Sequence, residues 1–136
     1  MVTSIKGHHI LVVDDEDAIR FMLENQLFKD GYKVSIAANG LHAMSKIKSA
    51  QKYDLIICDL KMPGMSGIEF FKAARQMGLT IPFLIITGYP DKKKIMEAIQ
   101  QGVSDVMLKP LNNSELVAKI VSLLTPVNSV KTSAAA

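Results

Sequence analysis

The chain has 136 residues, 49% of them hydrophobic and 21% charged, which is the composition of one globular domain with its own core. No apolar run approaches the roughly 20 residues of a membrane-spanning helix, and the single cysteine, Cys58, excludes an internal disulfide. Both features favour a cytoplasmic protein without a membrane partner. The net charge of +3 does not indicate nucleic-acid binding, and we expect none because the ten residues after Pro126 cannot form a helix-turn-helix.

Apolar runs that indicate strands alternate along the chain with patterns that indicate helices. We predict strands at about residues 9–14, 33–37, 54–59, 81–88 and 103–108. The predicted helices cover about 18–30, a shorter segment around 43–50, 68–77, and two segments that begin after Asp91 and Asn112. Residues 1–7 are predicted to be a flexible lead, 8–125 the domain, and 126–136 a tail or linker stub.

Three polar residues are predicted to cap helices, because their side chains can accept a hydrogen bond from the first turn. They are Asp17, Asp91 and Asn112. Apolar residues at helical spacing predict the side of each helix that packs on the sheet. For the first helix these are Ala18, Ile19, Met22, Leu23 and Leu27, and for the fourth they are Ile95, Met96 and Ile99.

The alternation of strands and helices predicts a doubly wound α/β domain with a five-stranded parallel sheet and five helices. We expect the flavodoxin-like strand order 2-1-3-4-5. The second strand alternates apolar and polar residues, which is typical of a strand at the edge of a sheet. Ligands of such folds bind at the carboxyl ends of the strands.

Polar side chains stand at the carboxyl ends of four predicted strands. They are Asp14 and Asp15, Asp59, Thr87 and Lys109. Carboxylate oxygens are ligands for a hard cation, so Asp15 and Asp59, with Asp14 acting through a bound water and a loop carbonyl, predict a site for Mg²⁺ or Mn²⁺. A carboxylate beside such a cation can attack phosphorus and form an acyl phosphate. Lys109 and Thr87 could then contact the phosphoryl oxygens.

These motifs resemble the receiver domain of two-component response regulators, in a form similar to the chemotaxis regulators. The resemblance covers about residues 8–125. It rests on Asp14-Asp15, on Asp59 followed by Met62-Pro63-Gly64-Met65-Ser66-Gly67, on Thr87-Gly88 and on Lys109-Pro110.

The resemblance implies that Asp59 accepts a phosphoryl group from a phosphohistidine of a sensor histidine kinase or phosphotransfer protein. It implies Mg²⁺ held by Asp15, Asp59 and the main-chain carbonyl of Lys61, with Asp14 in support. It also implies a cis Lys109-Pro110 bond. The output would be a downstream domain or protein, and the chain would be a monomer or weak dimer.

The family's switch couples the threonine, here Thr87, to an aromatic residue that in this chain is replaced by Val106. Phosphorylation would change the surface of helix four, strand five and helix five. The resemblance also implies that Lys61 and Tyr89 influence the lifetime of the phosphate. Three lysines at the start of helix four, Lys92–Lys94, are a further candidate for a partner surface.

Two other functions stay open from the residues. An aspartyl-phosphate phosphotransferase or hydrolase commonly has a second aspartate two residues after its nucleophile, where this chain has Lys61. A pseudo-receiver would serve only as a docking module that works without phosphorylation. The acids, Thr87 and Lys109 favour the phosphoacceptor, whereas Val106 keeps the pseudo-receiver open. The sequence does not decide between a stand-alone regulator and a domain of a longer protein.

Overall fold

The computed structural model describes residues 7–88 and 91–125, and it confirms the predicted fold class and strand order. Five parallel strands form one sheet in the order β2-β1-β3-β4-β5. The strands are β1 (His9–Val13), β2 (Lys33–Ala37), β3 (Leu55–Asp59), β4 (Phe83–Thr87) and β5 (Asp105–Leu108). The helices are α1 (Asp17–Lys29), α2 (Gly40–Lys48), α3 (Gly67–Gln76), α4 (Lys92–Gln101) and α5 (Asn113–Leu124).

The sheet separates two apolar cores because successive side chains of a strand point to opposite faces. On β1, Leu11 and Val13 pack with α2, α3 and α4, whereas Ile10 and Val12 pack with α1 and α5. Every residue of β3 and β4 is buried, which explains why both strands are continuously apolar up to the polar residue that ends each of them. As predicted, β2 lies at an edge of the sheet.

The inner faces of two helices differ from the prediction. On α1, Leu23 and Leu27 are buried as predicted, but Ala18 and Met22 are exposed and Arg20 takes a place on the buried side. On α4, Met96 and Ile99 are exposed, and the helix meets the core through the small residue Ala98. Apolar spacing therefore identified only part of the buried side of each helix, and it missed Arg20 and Ala98, which carry little hydrophobic signal.

The predicted caps are confirmed for Asp91 and Asn112, whose side chains accept hydrogen bonds from the N–H groups of Lys94 and Glu115. The prediction for Asp17 is wrong. Glu16 is the N-cap residue of α1, and Asp17 is the first helical residue, which pairs with Arg20 three residues later.

A capping box that the sequence analysis did not identify begins α3. The Ser66 side chain accepts from the Glu69 N–H, and the Glu69 carboxylate accepts from the Ser66 N–H. Asn39 is the N-cap residue of α2, and Gly40 is its first helical residue.

Residues 1–6 of the predicted lead, the predicted tail over 126–136 and the helix stop at Pro126 lie outside the described residues. Within the described part of the chain, no helix combines the length and the apolar character needed to cross a membrane.

We predict that Gly67→Ala destabilises the fold where α3 begins beside β3. A Cβ atom at this position would lie 2.3 Å from the main-chain oxygen of Asp59, and backbone cannot yield as a flexible side chain can. Chemical denaturation should show a loss of about 2 kcal/mol or more. Gly88→Ala is the matched control, because its Cβ would meet the Lys109 side chain at an ordinary 3.7 Å. Equal losses in the two variants would contradict this account.

Candidate functional site

Three carboxylates converge at the carboxyl ends of β1 and β3. Val13 and Cys58 are register partners of these two neighbouring strands, so Asp14 and Asp59, which follow them, are brought together. One carboxylate oxygen from each of Asp14, Asp15 and Asp59 lies within 4.8 Å of the others. Asp14 is fully buried, Asp59 is 4% exposed and Asp15 is exposed. The predicted cluster of acids is therefore assembled, with one member open to solvent.

Lys109 brings a positive charge into this cluster from the end of β5. Its Nζ atom lies 2.7 Å from Glu16 Oε1, 3.0 Å from Asp14 Oδ2 and 3.4 Å from Asp59 Oδ2. Burial alone would lower the pKa of Lys109, but these acids outweigh it and raise the pKa, so the ammonium stays charged. The Lys109 N–H donates to the Thr87 main-chain oxygen at 2.8 Å, and the following bond to Pro110 is cis, as expected.

The acids are only partly neutralised by this lysine. Burial, the charge of Asp14 and a hydrogen bond to Asp15 raise the pKa of Asp59 to about 7, against the lowering effect of Lys109. Within residues 7–88 and 91–125, no hydrogen-bond donor is directed at Asp14 Oδ2, although Lys109 Nζ lies close to it. A divalent cation would supply further positive charge to the carboxylates of Asp14 and Asp59.

Two positioning contacts around the acids were not identified from the sequence. The buried Arg20 donates to the Asp14 main-chain oxygen at 2.7 Å and to Asp17 at 2.5 Å, which holds the turn that carries the acids. Gly67 lets α3 approach the Asp59 backbone. The only sequence signals were an arginine three residues after an aspartate and a glycine at the end of the loop.

Thr87 is buried at the end of β4. It lines a small cavity of about 110 Å³ together with Leu60 and Lys94. Beside it lies an open cleft of about 950 Å³, lined by Asp15, Asp59 and Lys109 among others. Lys61 and Met62 line both spaces, so the loop after β3 stands between Thr87 and the cleft.

Val106 and Lys92–Lys94 are not members of the cluster of acids. Val106 is half-buried on β5, where it pairs with Ile85 and packs against the core shared with α3 and α4. Lys92–Lys94 are exposed on the first turn of α4, and their part in a partner surface stays a prediction. Tyr89 lies outside the described residues.

The sequence profile of the family described as "Response regulator receiver domain" matches residues 10–121. This is most of the chain, and the strand order and the acids agree with it. The chain belongs to the response regulator receiver domain family.

Three similar proteins illustrate the relationship. The chain is 38% identical over 107 residues to the transcriptional regulatory protein ZraR of Klebsiella oxytoca, covering 79% of this chain and 24% of that protein. The structure of the Vibrio cholerae chemotaxis protein CheY4 aligns with a TM-score of 0.81 at 33% identity, over 87% of this chain and 99% of that one. The structure of response regulator protein TrrA of Thermotoga maritima, in complex with Mg²⁺-BeF, aligns with a TM-score of 0.77 at 33% identity. The alignment covers 86% of this chain and 99% of that one.

This receiver domain spans only part of its curated relatives, about a quarter of ZraR and about half of other transcriptional regulators that it matches. The relatives are named as regulators, which agrees with the expectation of a regulatory domain rather than an enzyme. The family membership also accounts for the assembled acids, since receiver domains bind Mg²⁺ at such a cluster. Here the donor set consists of hard oxygen atoms, one of them buried without a directed donor, which fits a divalent cation.

We predict that Asp59→Asn stabilises the metal-free domain at alkaline pH. The folded state holds the Asp59 proton up to about pH 7, whereas the unfolded chain releases it near 3.8, so the free energy of unfolding falls as the pH rises through this window. The amide removes this penalty, and the variant should gain on the order of 1–2 kcal/mol at about pH 8 and little at about pH 4. Denaturation in the presence of a chelator measures both values.

The control for this prediction is Glu24→Gln, which removes a carboxylate of α1 outside the cluster. Its effect should be small at both pH values. If Asp59→Asn raises the free energy of unfolding equally in acid and in alkali, the neighbours of Asp59 do not raise its pKa.

Proposed function

We propose that this receiver domain is a phosphoacceptor in which Asp59 takes a phosphoryl group from a phosphohistidine. The carrier would be a sensor histidine kinase or a phosphotransfer protein. A carboxylate oxygen of Asp59 forms a bond to phosphorus while the bond from phosphorus to the histidine nitrogen breaks, and the imidazole leaves with that electron pair. The observation that carries the proposal is the meeting of Asp59, two further acids and Lys109 at one edge of the sheet.

The raised pKa of Asp59 is consistent with this chemistry. The pKa of about 7 belongs to the metal-free site, where burial and the charge of Asp14 favour the protonated carboxyl, and a bound divalent cation would favour the deprotonated form. The deprotonated form of Asp59 is the one that attacks, and Lys109 favours that form from 3.4 Å away. The open cleft over Asp59 leaves room for the donor's imidazole.

The cation proposed for this chemistry is Mg²⁺ or Mn²⁺. Asp15 and Asp59 would hold it with the main-chain carbonyl of Lys61, and Asp14 would support it through a water. When bound, the cation supplies positive charge that offsets the charge developing on the phosphoryl oxygens. TrrA, a related response regulator, is described in complex with Mg²⁺-BeF, which supports the same ligand class here.

The other residues of the site have distinct proposed roles. The Lys109 ammonium contacts one phosphoryl oxygen as a point charge, and the Thr87 hydroxyl donates to another. Lys61, which lines the cleft, would influence how long the phosphate lasts, together with Tyr89. The output is proposed to be read on the face formed by α4, β5 and α5, either by a further domain or by another protein.

We predict that incubation with Mg²⁺ and acetyl phosphate adds one phosphoryl group to the protein. Intact mass spectrometry should show the adduct in wild type and none in Asp59→Asn, because the substitution replaces the proposed acceptor carboxylate by an amide. Chelation should abolish the adduct because the acids then lack their cation.

Asp30→Asn, at the far end of α1, is the matched control and should be phosphorylated as wild type is. An adduct that survives in Asp59→Asn would place the acceptor elsewhere. A folded wild-type protein that accepts no phosphoryl group from any donor would favour the docking module instead.

We further predict that Thr87 transmits the modified state without being needed for modification. With Mg²⁺ and beryllium fluoride, amide NMR signals of α4 and β5 should shift in wild type. Thr87→Ala should still take up a phosphoryl group from acetyl phosphate but should lose most of these shifts, because its buried hydroxyl is gone. Thr87→Ser, which retains a hydroxyl, is the control. Full shifts in Thr87→Ala would exclude this role.

A further inference from the structure

The shortest contact of the Lys109 ammonium is with Glu16, a residue outside the cluster of acids. Nζ lies 2.7 Å from Glu16 Oε1, and the distances then increase to 3.0 Å for Asp14 and 3.4 Å for Asp59. The Glu16 side chain is 60% exposed, whereas the side chains of Asp14 and Asp59 are 0% and 6% exposed. The lysine is therefore held closest to the acid nearest the solvent and furthest from the proposed acceptor.

The local structure explains why the Glu16 side chain is available for this contact. Glu16 is the N-cap residue of α1, but its side chain makes no capping hydrogen bond. Its main-chain N–H donates to Asp14 Oδ1 at 2.8 Å, which anchors the backbone beside the site. The potential metal cluster found among the described residues consists of Asp14, Asp15 and Asp59 and does not include Glu16. The contact with Lys109 is thus the specific interaction that the structure gives this carboxylate.

We propose that Glu16 is a positioning residue that competes with the phosphoryl group for Lys109 and thereby lowers the affinity of the site for that group. This inference rests on the proposed phosphoacceptor function. A phosphoryl group on Asp59 needs the ammonium to turn inward, and the contact with Glu16 must then loosen. The length of the glutamate side chain is important, since it spans from the start of α1 to the end of β5.

The expected size of the effect follows from exposure. An ion pair with one partner open to water is weakened by solvent, so its loss changes an equilibrium modestly rather than abolishing it. Removing the charge of Glu16 should therefore strengthen binding of a phosphoryl analogue by about two- to fivefold. The gain should shrink as salt is added, because the pair is exposed to screening ions.

The test compares beryllium fluoride binding to wild type, Glu16→Gln and Glu24→Gln. Mg²⁺ affinity is first measured by calorimetry for each protein, and beryllium fluoride is then titrated at saturating Mg²⁺ with amide NMR detection. Glu24→Gln removes the same charge from a side chain of the same length, and Glu24 lies on α1 outside the cluster of acids. We expect the dissociation constant to fall about two- to fivefold in Glu16→Gln and to change less in Glu24→Gln.

The outcomes separate this inference from the proposed function. Unchanged or weaker binding in Glu16→Gln would overturn the competition, and an equal gain in both variants would reduce it to a general effect of net charge. If folded, Mg²⁺-saturated wild type binds no beryllium fluoride at all, the phosphoacceptor function itself fails. A gain confined to Glu16→Gln that disappears at high salt supports the competition.

Discussion

The rest of the site depends on the repulsion among carboxylates that are buried together at one edge of the sheet. Asp14 and Asp59 are almost completely removed from water, and burial together with the charge of Asp14 raises the pKa of Asp59. Lys109 relieves part of this repulsion from the end of β5, at distances of 3.0 and 3.4 Å. One ammonium cannot balance several acids, so the pKa of Asp59 stays high and an oxygen of Asp14 lacks a directed donor. The same imbalance makes the site receptive to a divalent cation.

The surrounding backbone is arranged to maintain this unfavourable cluster. The buried Arg20 donates a hydrogen bond to the main-chain oxygen of Asp14. Burying a charged side chain is unfavourable unless it has hydrogen-bond partners, and this contact provides one. Gly67 permits α3 to begin against the Asp59 carbonyl, and the capping box of Ser66 and Glu69 stabilises that start. Stability is thus supplied by the neighbouring helix termini and by two apolar cores, while the raised pKa of Asp59 lowers the stability of the metal-free domain as the pH rises toward neutral.

Sequence reasoning recovered the sheet, its order and the positions of Asp14, Asp15, Asp59, Thr87 and Lys109, because strand ends follow directly from buried apolar runs. It did not recover interactions that depend on side-chain direction. Asp17 is a better capping residue than Glu16 by type, yet Glu16 has the extended backbone of the N-cap and Asp17 is already helical. Met96 and Ile99 fit the helical period, yet Ala98 is the buried residue of α4. The contact of Glu16 with Lys109 joins residues far apart in sequence and had no local signal.

Val106 changes how a signal could leave this site. A change of rotamer moves the end of an aromatic side chain over a long distance. A β-branched valine has a short side chain with restricted rotamers and no polar end. Its half-buried position against the core leaves little scope for a change in contacts. The backbone offers a more direct connection, because the Thr87 carbonyl accepts from the Lys109 N–H and Thr87 is the register partner of Leu108, whose side chain is 54% exposed. Main-chain hydrogen bonds thus connect Thr87 to β5, whose exposed Leu108 is its register partner.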